Sequence, residues 1–545
     1  MSIIQLLPMN DVGFEFRPYD AQSAFALEPM YLSLESLADI DVKKFKKEIG
    51  ELKQKFPAGR PKVDYKIKAA KLMLLKKIFE GFKHSESFET FKKLNLYWLH
   101  DYALFKVIKE KNGRKSWEDW PAALKSKDTV LLKQLSSDWA SEIEFHKWLQ
   151  WQLSCQMKAA KNYANQKKVL MMGDIPFLVS RDSADVWANQ DYFKLDLSSG
   201  APPDGFFAHG QLWGMPPYAW DKIAARSYDY MIQKLKYAEN FYDIFRIDHV
   251  IGIFRLWTIP RSEPAESGAS NGFFYPRDEN VWETEGKKHL LEMIRNTTML
   301  PSAEDLGVVP QCAFRVLEEF GIPGMDIQRW KRNWENNYEF TAPDAYRKDS
   351  ISVISTHDMA SFVGWWTFEA GAIDEELFKR KCVSRGISFE EVKSRLFDVE
   401  KSAHGKLRWK NGILNKEQLI QILGKPESEL KDFVDMYFGT YQEKNKFLNY
   451  LGLLDEPAEP SIIQLVRAAL EKAAQARSIF SIQLLQDWLS LTPEFECNPW
   501  NFRINFPGIV SDSNWSIVIP FSLEKMLTLN TNQVIRKINA DADRS

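Results

Sequence analysis

The stretch DIFRIDHVIGIFRLW, Asp243 to Trp257, sets Arg246, Asp248 and His249 at the end of an otherwise apolar run. Charged groups leaving a hydrophobic segment are costly unless paired, so their clustering points to chemistry rather than packing. Two further acids end comparable runs: Glu304 in SAEDLG, followed by Asp305, and Asp358 in STHD, preceded by His357. A pair of carboxyls can break a glycosidic bond, one attacking the anomeric carbon and the other protonating the leaving oxygen. A third acid can hold sugar hydroxyls and offset positive charge in an oxocarbenium-like transition state. Arg246 lies two residues before Asp248, hence on the same face of a strand. A guanidinium there would lower the carboxyl's pKa and keep a nucleophile ionised. His249 and His357, each beside an acid, are placed to hydrogen-bond sugar hydroxyls. Taken singly, an Asp after a strand is as readily a helix N-cap or a salt-bridge partner. The recurrence of acids with Arg and His neighbours at strand ends is what argues for a site.

Positioning these groups requires a sheet whose strand ends meet. Short apolar runs ending in polar residues recur along the chain: IIQLLP at 3–8, KVLMMGDIPFLVS at 168–180, and the runs at 243–249, 297–307, 324–330, 350–358 and 479–487. Helical patterns such as GKKHLLEMIR and PQCAFRVLEEFG separate several of them. Alternation of buried strands with helices implies a parallel sheet, and the number of units fits a (β/α)₈ barrel, with its active site at the C-terminal strand ends. Residues 33–165 and 370–475 read as helical insertions in a single catalytic domain spanning 1–545. VKKFKKEIGELKQKF and IKAAKLMLLKKIFEGF show apolar residues at three- and four-residue spacing, and the charges between them read as solvated faces. The aromatic and Gly/Pro-rich segment from Ser183 to Trp220 has no period and reads as a long functional loop.

Composition excludes several classes. Net charge is −2, from 72 Lys and Arg against 74 Asp and Glu, which supplies no basic field for nucleic acid. The four cysteines are scattered without a CxxC pair, which fits a reducing compartment and neither a zinc site nor a disulfide framework. The first residues lack the pattern of a signal peptide, and no apolar run is long enough to span a membrane. A cytoplasmic protein with no metal or cofactor is the expectation. Thirty-six phenylalanines and 19 tryptophans serve mainly as core, with some rings free to stack on a flat ligand face.

Five segments carry a resemblance: FRIDHVIG, SAEDLG, STHDMASFVGWW, GDIPFLVSRDSADVWANQDYFKLD and APPDGFFAHGQLWGMPPYAW. In residues, order and spacing they resemble the amylomaltase family of 4-α-glucanotransferases, also called disproportionating enzyme. FRINFPGIVSDSNWSIVIP resembles that family's closing segment, so the likeness covers nearly the whole chain. It implies a (β/α)₈ barrel of the α-amylase superfamily that moves α-1,4-glucan segments by double displacement. It further implies Asp248 as nucleophile, Glu304 as general acid/base and Asp358 as transition-state stabiliser. Arg246, His249, His357, Asp305, Asp174, Ser183, Asp185, Trp187, Asp204 and Trp213 fall on motif positions that bind substrate or shape the cleft.

The chain also departs from the family pattern. Gly205 stands where a tyrosine is common, and Leu212 where an arginine is. QRWKRNW and HDMAS are similar to the maltose-using branch of plant cytosol, which implies maltose, maltodextrins and glycogen as partners. IIQLLPMND is similar to a segment that normally follows a first strand and helix, so the barrel is expected to lack its first strand. Two other readings use the same residues: an α-glucan hydrolase with water as acceptor, and a non-catalytic glucan-binding protein.

Overall fold

The computed structural model describes residues 1–203, 210–264, 268–413, 415–455, 458–495 and 497–544. Two compact units account for the chain, Met1–Pro202 with Leu212–Ile322, and Pro203–Gln211 with Pro323–Ser545. Parallel strands, labelled β1–β7 in chain order, run through both.

In the first unit β1 (Ile3–Gln5), β2 (Leu170–Ile175), β3 (Ile244–Ile247) and β4 (Leu300–Ala303) form one parallel sheet in that order. β3 is buried along its whole length, as a near-continuous apolar run in a parallel sheet should be. Its register decides where the charges go. Asp174 on β2 lies opposite Arg246 on β3, which lies opposite Ser302 on β4. Asp248 and Glu304 each follow by two residues, so the strand period points them the same way as that row.

Around this sheet stand α1 (Lys66–Phe79), α2 (Leu96–Lys111), α3 (Ala140–Gln166), α4 (Ala184–Ala188) and α5 (Asp229–Ala238). They bury Trp98, Phe105, Trp148 and Tyr237 in one continuous core. The charges of these helices are not all solvated, contrary to the periodicity reading. Lys68 of α1 is 1% exposed and pairs with Asp11 at 3.1 Å and Glu28 at 2.8 Å. Lys106 of α2 reaches Asp11 at 2.8 Å, and Tyr102 donates to the same carboxylate at 2.8 Å. Helix periodicity places Lys68 among polar positions, but the chain at 11–28 folds over it, and a buried cation then needs those acids.

The aperiodic segment beginning at Ser183 is not all loop. It contains α4 and the strand Leu197–Ala201, which pairs antiparallel with Leu256–Pro260, itself paired with Phe273–Tyr275. Short elements of this length carry too few residues to show a period.

In the second unit β5 (Gly324–Ile327), β6 (Ser350–Val353) and β7 (Phe480–Ser481) are parallel, with β6 between the other two. The region 370–475 is not purely helical. Ala372–Asp374, Lys406–Trp409 and Phe397–Ala403 form a three-stranded antiparallel sheet beside helices such as Glu375–Ser384 and Lys431–Thr440. Phe378, Phe397, Leu407 and Phe433 fill the core between them. Among the described residues no helix is long and apolar enough to cross a membrane.

Candidate active site

Arg246 is the hub of the first unit's strand ends. Its Nη1 donates to both oxygens of Asp174 at 2.6 Å and to Asp248 Oδ1 at 3.1 Å. Its Nη2 donates to Glu304 Oε2 at 2.9 Å. One guanidinium thus bridges three carboxyl groups, which its fork of donors allows and a lysine's point charge would not. Tyr19 donates to Asp174 Oδ2 at 2.7 Å, so Asp174 is held from both sides. The His249 amide donates to Glu304 Oε2 at 3.0 Å. That amide is presented by a backbone turn, with His249 at φ 44°.

Asp248 and Glu304 also hydrogen-bond one another, and their electrostatics follow from that contact. Burial pushes Asp248 well above the usual carboxyl range; Arg246 opposes this, while Glu304 and Asp174 add to it. Burial pushes Glu304 up as well, but Arg246 and the His249 amide more than offset it and leave Glu304 below its ordinary value. Arg246 lowers the pKa of Asp248, as expected, but does not bring it below the ordinary value. Arg246 makes shorter contacts with Asp174 and Glu304 than with Asp248, and desolvation of Asp248 outweighs its share of the positive charge. Their contact drives the two carboxyls apart in pKa, and they titrate as a pair.

His249 packs edge-on against Trp213, ring centres 4.8 Å apart, and burial lowers its pKa, so the imidazole is neutral at neutral pH. Asp305 is buried next to Glu304. Ser183, Asp185 and Trp187, expected at the cleft, make hydrogen bonds within the protein. Ser183 caps α4 by accepting from Val186 N, and Asp185 accepts from Ala24 N and Tyr230 OH, both at 2.9 Å. Trp187 is 0% exposed and donates to the Leu124 carbonyl. The SADVW motif thus ties the chain at 23–24 to α4. Asp204 lies outside the described residues.

Sequence reasoning missed Tyr19 and Lys234. Tyr19 sits 155 residues from its partner Asp174, in a stretch with no period. Lys234 on α5 is buried, donates to the Pro176 carbonyl at 2.7 Å, and is pushed down to about 8 by burial, with Asp185 and Asp248 opposing. Nothing in its local sequence sets it apart from the other lysines of the chain.

In the second unit Asp358 follows β6 and is 45% exposed at its side chain, with His357 Nε2 at 3.3 Å. Asn505 donates to Asp358 Oδ1 at 2.7 Å, and Arg503 donates to the Asp358 carbonyl at 3.0 Å. Both partners come from FRINFPG, a motif recorded in the sequence without any role for these side chains. Arg503 is itself steadied by Glu369 at 2.9 Å.

Comparisons with known proteins identify the family. A family model described as 4-alpha-glucanotransferase matches residues 1–522. A 4-alpha-glucanotransferase of Chlamydia pneumoniae is 31% identical over 533 residues, covering 96% of this chain and 85% of its own. One from Thermus thermophilus is 32% identical over 406 residues, covering 71% and 77%. Among solved structures, an amylomaltase from Streptococcus agalactiae in complex with acarbose superposes with TM-score 0.72 at 23% identity, over 100% of this chain and 92% of that one. An amylomaltase from Corynebacterium glutamicum gives TM-score 0.70 at 20% identity, over 99% and 70%. These two show a shared fold. With the family model spanning nearly the whole sequence and relatives of this identity covering most of it, the chain belongs to the 4-alpha-glucanotransferase family.

Proposed function

We propose that this glucanotransferase works by retaining double displacement, with Asp248 as nucleophile, Glu304 as general acid/base and Asp358 stabilising the transition state. The parallel strands are then those of the (β/α)₈ barrel that the family resemblance implies. The observation that carries this reading is the Arg246 hub, with Asp248 and Glu304 in hydrogen-bond contact. Two carboxyls drawn onto one guanidinium lie close together, as a retaining pair at about 5–5.5 Å does and an inverting pair at roughly 6.5–9.5 Å does not.

The chemistry follows from one shared proton. Retention needs one carboxylate and one carboxylic acid at the same moment, and the coupled pair supplies both. As a sugar enters between them the proton resting on Asp248 passes to Glu304, which gives it to the glycosidic oxygen, and Asp248, now ionised, attacks the anomeric carbon as that bond breaks. The reducing-end fragment leaves. The 4-hydroxyl of an incoming sugar gives its proton to Glu304 and displaces Asp248, restoring an α-1,4 bond. Arg246 keeps the negative charge tolerable throughout. The family resemblance implies that Asp358, held by Asn505 and Arg503, offsets positive charge developing on the sugar ring. Donors and acceptors are maltose, maltodextrins and glycogen.

Incubation with maltotriose tests this. The wild-type chain gives a ladder of longer maltodextrins, and Asp248→Asn lowers kcat by about 10³-fold or more while glucan binding persists. Glucose and maltose alone as products would replace transfer with hydrolysis. A fully active Asp248→Asn would remove Asp248 from the mechanism.

A further inference from the structure

The segment QRWKRNW carries two tryptophans that the core does not absorb. Trp330 and Trp334 are 46% and 50% exposed. β5 and β6 are parallel neighbours, with Ile327 opposite Val353. Trp330, just past β5, and Asp358, just past β6, therefore leave the sheet at the same edge of the second unit.

These rings are exposed yet held. Trp334 Nε1 donates to the Trp330 carbonyl at 3.1 Å. The Arg332 guanidinium lies 5.1 Å from the Trp334 ring centre and 4.1 Å from that of Phe340. Arg332 is anchored in turn by donating to the Gly439 carbonyl at 2.6 Å and by its ion pair with Glu443. Tyr338 meets Trp334 edge-on at 6.2 Å. Asn333, Glu335, Asn336 and Asn337, neighbours of Trp334 in the chain, are exposed as well. An oriented aromatic face bordered by carboxamides and a carboxylate complements a glucopyranose, which offers a C–H face for stacking and hydroxyls at its rim. Because the ring is fixed beforehand, little side-chain entropy is lost when a sugar docks.

We propose that Trp330 and Trp334 form a stacking platform for glucosyl residues of an α-1,4-glucan chain, extending outward from the Asp358 edge of the sheet. This rests on the reading of the chain as a transferase acting on such glucans, and it assigns the platform to the longer polymer rather than to maltose. The cation beside the ring, Arg332, is already paired with Glu443, and Glu335 disfavours an anion, so a neutral polyol chain is the ligand the platform suits.

Native electrophoresis in gels with and without amylose tests it, with initial rates on amylose and maltotriose beside it. The wild-type chain is retarded by amylose. Trp334→Ala weakens the retardation by about two- to tenfold in apparent dissociation constant, the range of one aromatic contact. Its KM for amylose rises by the same factor, more than its KM for maltotriose. Trp334→Phe, which keeps a ring, recovers most of the retardation. Tyr163→Ala removes a ring 64% exposed on α3 and leaves retardation at the wild-type level. Equal retardation and equal KM for amylose in wild type and Trp334→Ala would overturn the platform. Failure of the wild-type chain to build a ladder from maltotriose would instead sink the transferase reading, a separate result from the gel.

Discussion

At the scale of residues, the site is governed by one cation shared among three acids. Arg246 lies 2.6 Å from Asp174, 2.9 Å from Glu304 and 3.1 Å from Asp248. It lowers both members of the proton-sharing pair, so its loss raises both. Arg246→Met therefore moves the acid limb of kcat/KM to higher pH by about one unit or more, because the pair gains its second, inactivating proton sooner. A pH–rate profile checks this, and an unmoved acid limb would deny Arg246 that role. Asp248 itself makes a further statement about stability. Its folded pKa is raised, so its proton stabilises the fold fully below the ordinary Asp range, and this contribution is lost as pH rises through the raised value. Asp248→Asn keeps the hydrogen-bonding shape without the ionisation. Its Tm exceeds that of the wild type at neutral pH and matches it at acid pH, as measured by calorimetry across pH. A wild-type advantage at neutral pH would contradict the raised pKa.

Elements set where these residues stand. The row Asp174, Arg246, Ser302 is a consequence of strand register, and a one-residue slip of β3 would turn Arg246 and Asp248 to the other face. Gly173 keeps β2 in that register beside Tyr242: a Cβ at this position would come within 2.4 Å of the tyrosine ring. Gly173→Ala therefore displaces either the ring or the strand carrying Asp174, costing about 1–3 kcal/mol of stability. Denaturant unfolding reads that loss, and an unchanged midpoint would show the ring gives way freely. Much at this scale was legible beforehand. The runs at 168–180, 243–249, 324–330 and 350–358 contain β2, β3, β5 and β6, because buried parallel strands are short, apolar and punctuated. The antiparallel sheet within 370–475 was not legible, since FDVEKSA is as charged as the helices around it and its pairing is set by partners, not by its own pattern.

For the whole molecule, the resemblance of five motifs anticipated family and activity, and relatives about 30% identical over most of the chain place it there. The contacts that sequence could not supply are the long-range ones. Tyr19 reaches Asp174 across 155 residues, and Asn505 reaches Asp358 across 147. The Lys68, Asp11 and Glu28 cluster joins the first insertion to the chain that carries Tyr19. No local period encodes such pairs; they appear only once the chain has folded. The proposed mechanism requires a covalent sugar ester on one carboxylate. Glu304→Gln incubated with α-maltotriosyl fluoride, whose leaving group needs no acid, followed by digestion and mass spectrometry, measures it directly. A glycosyl adduct on the peptide containing Asp248 is the predicted result. An adduct on Asp358, or none while fluoride is released, would contradict the account.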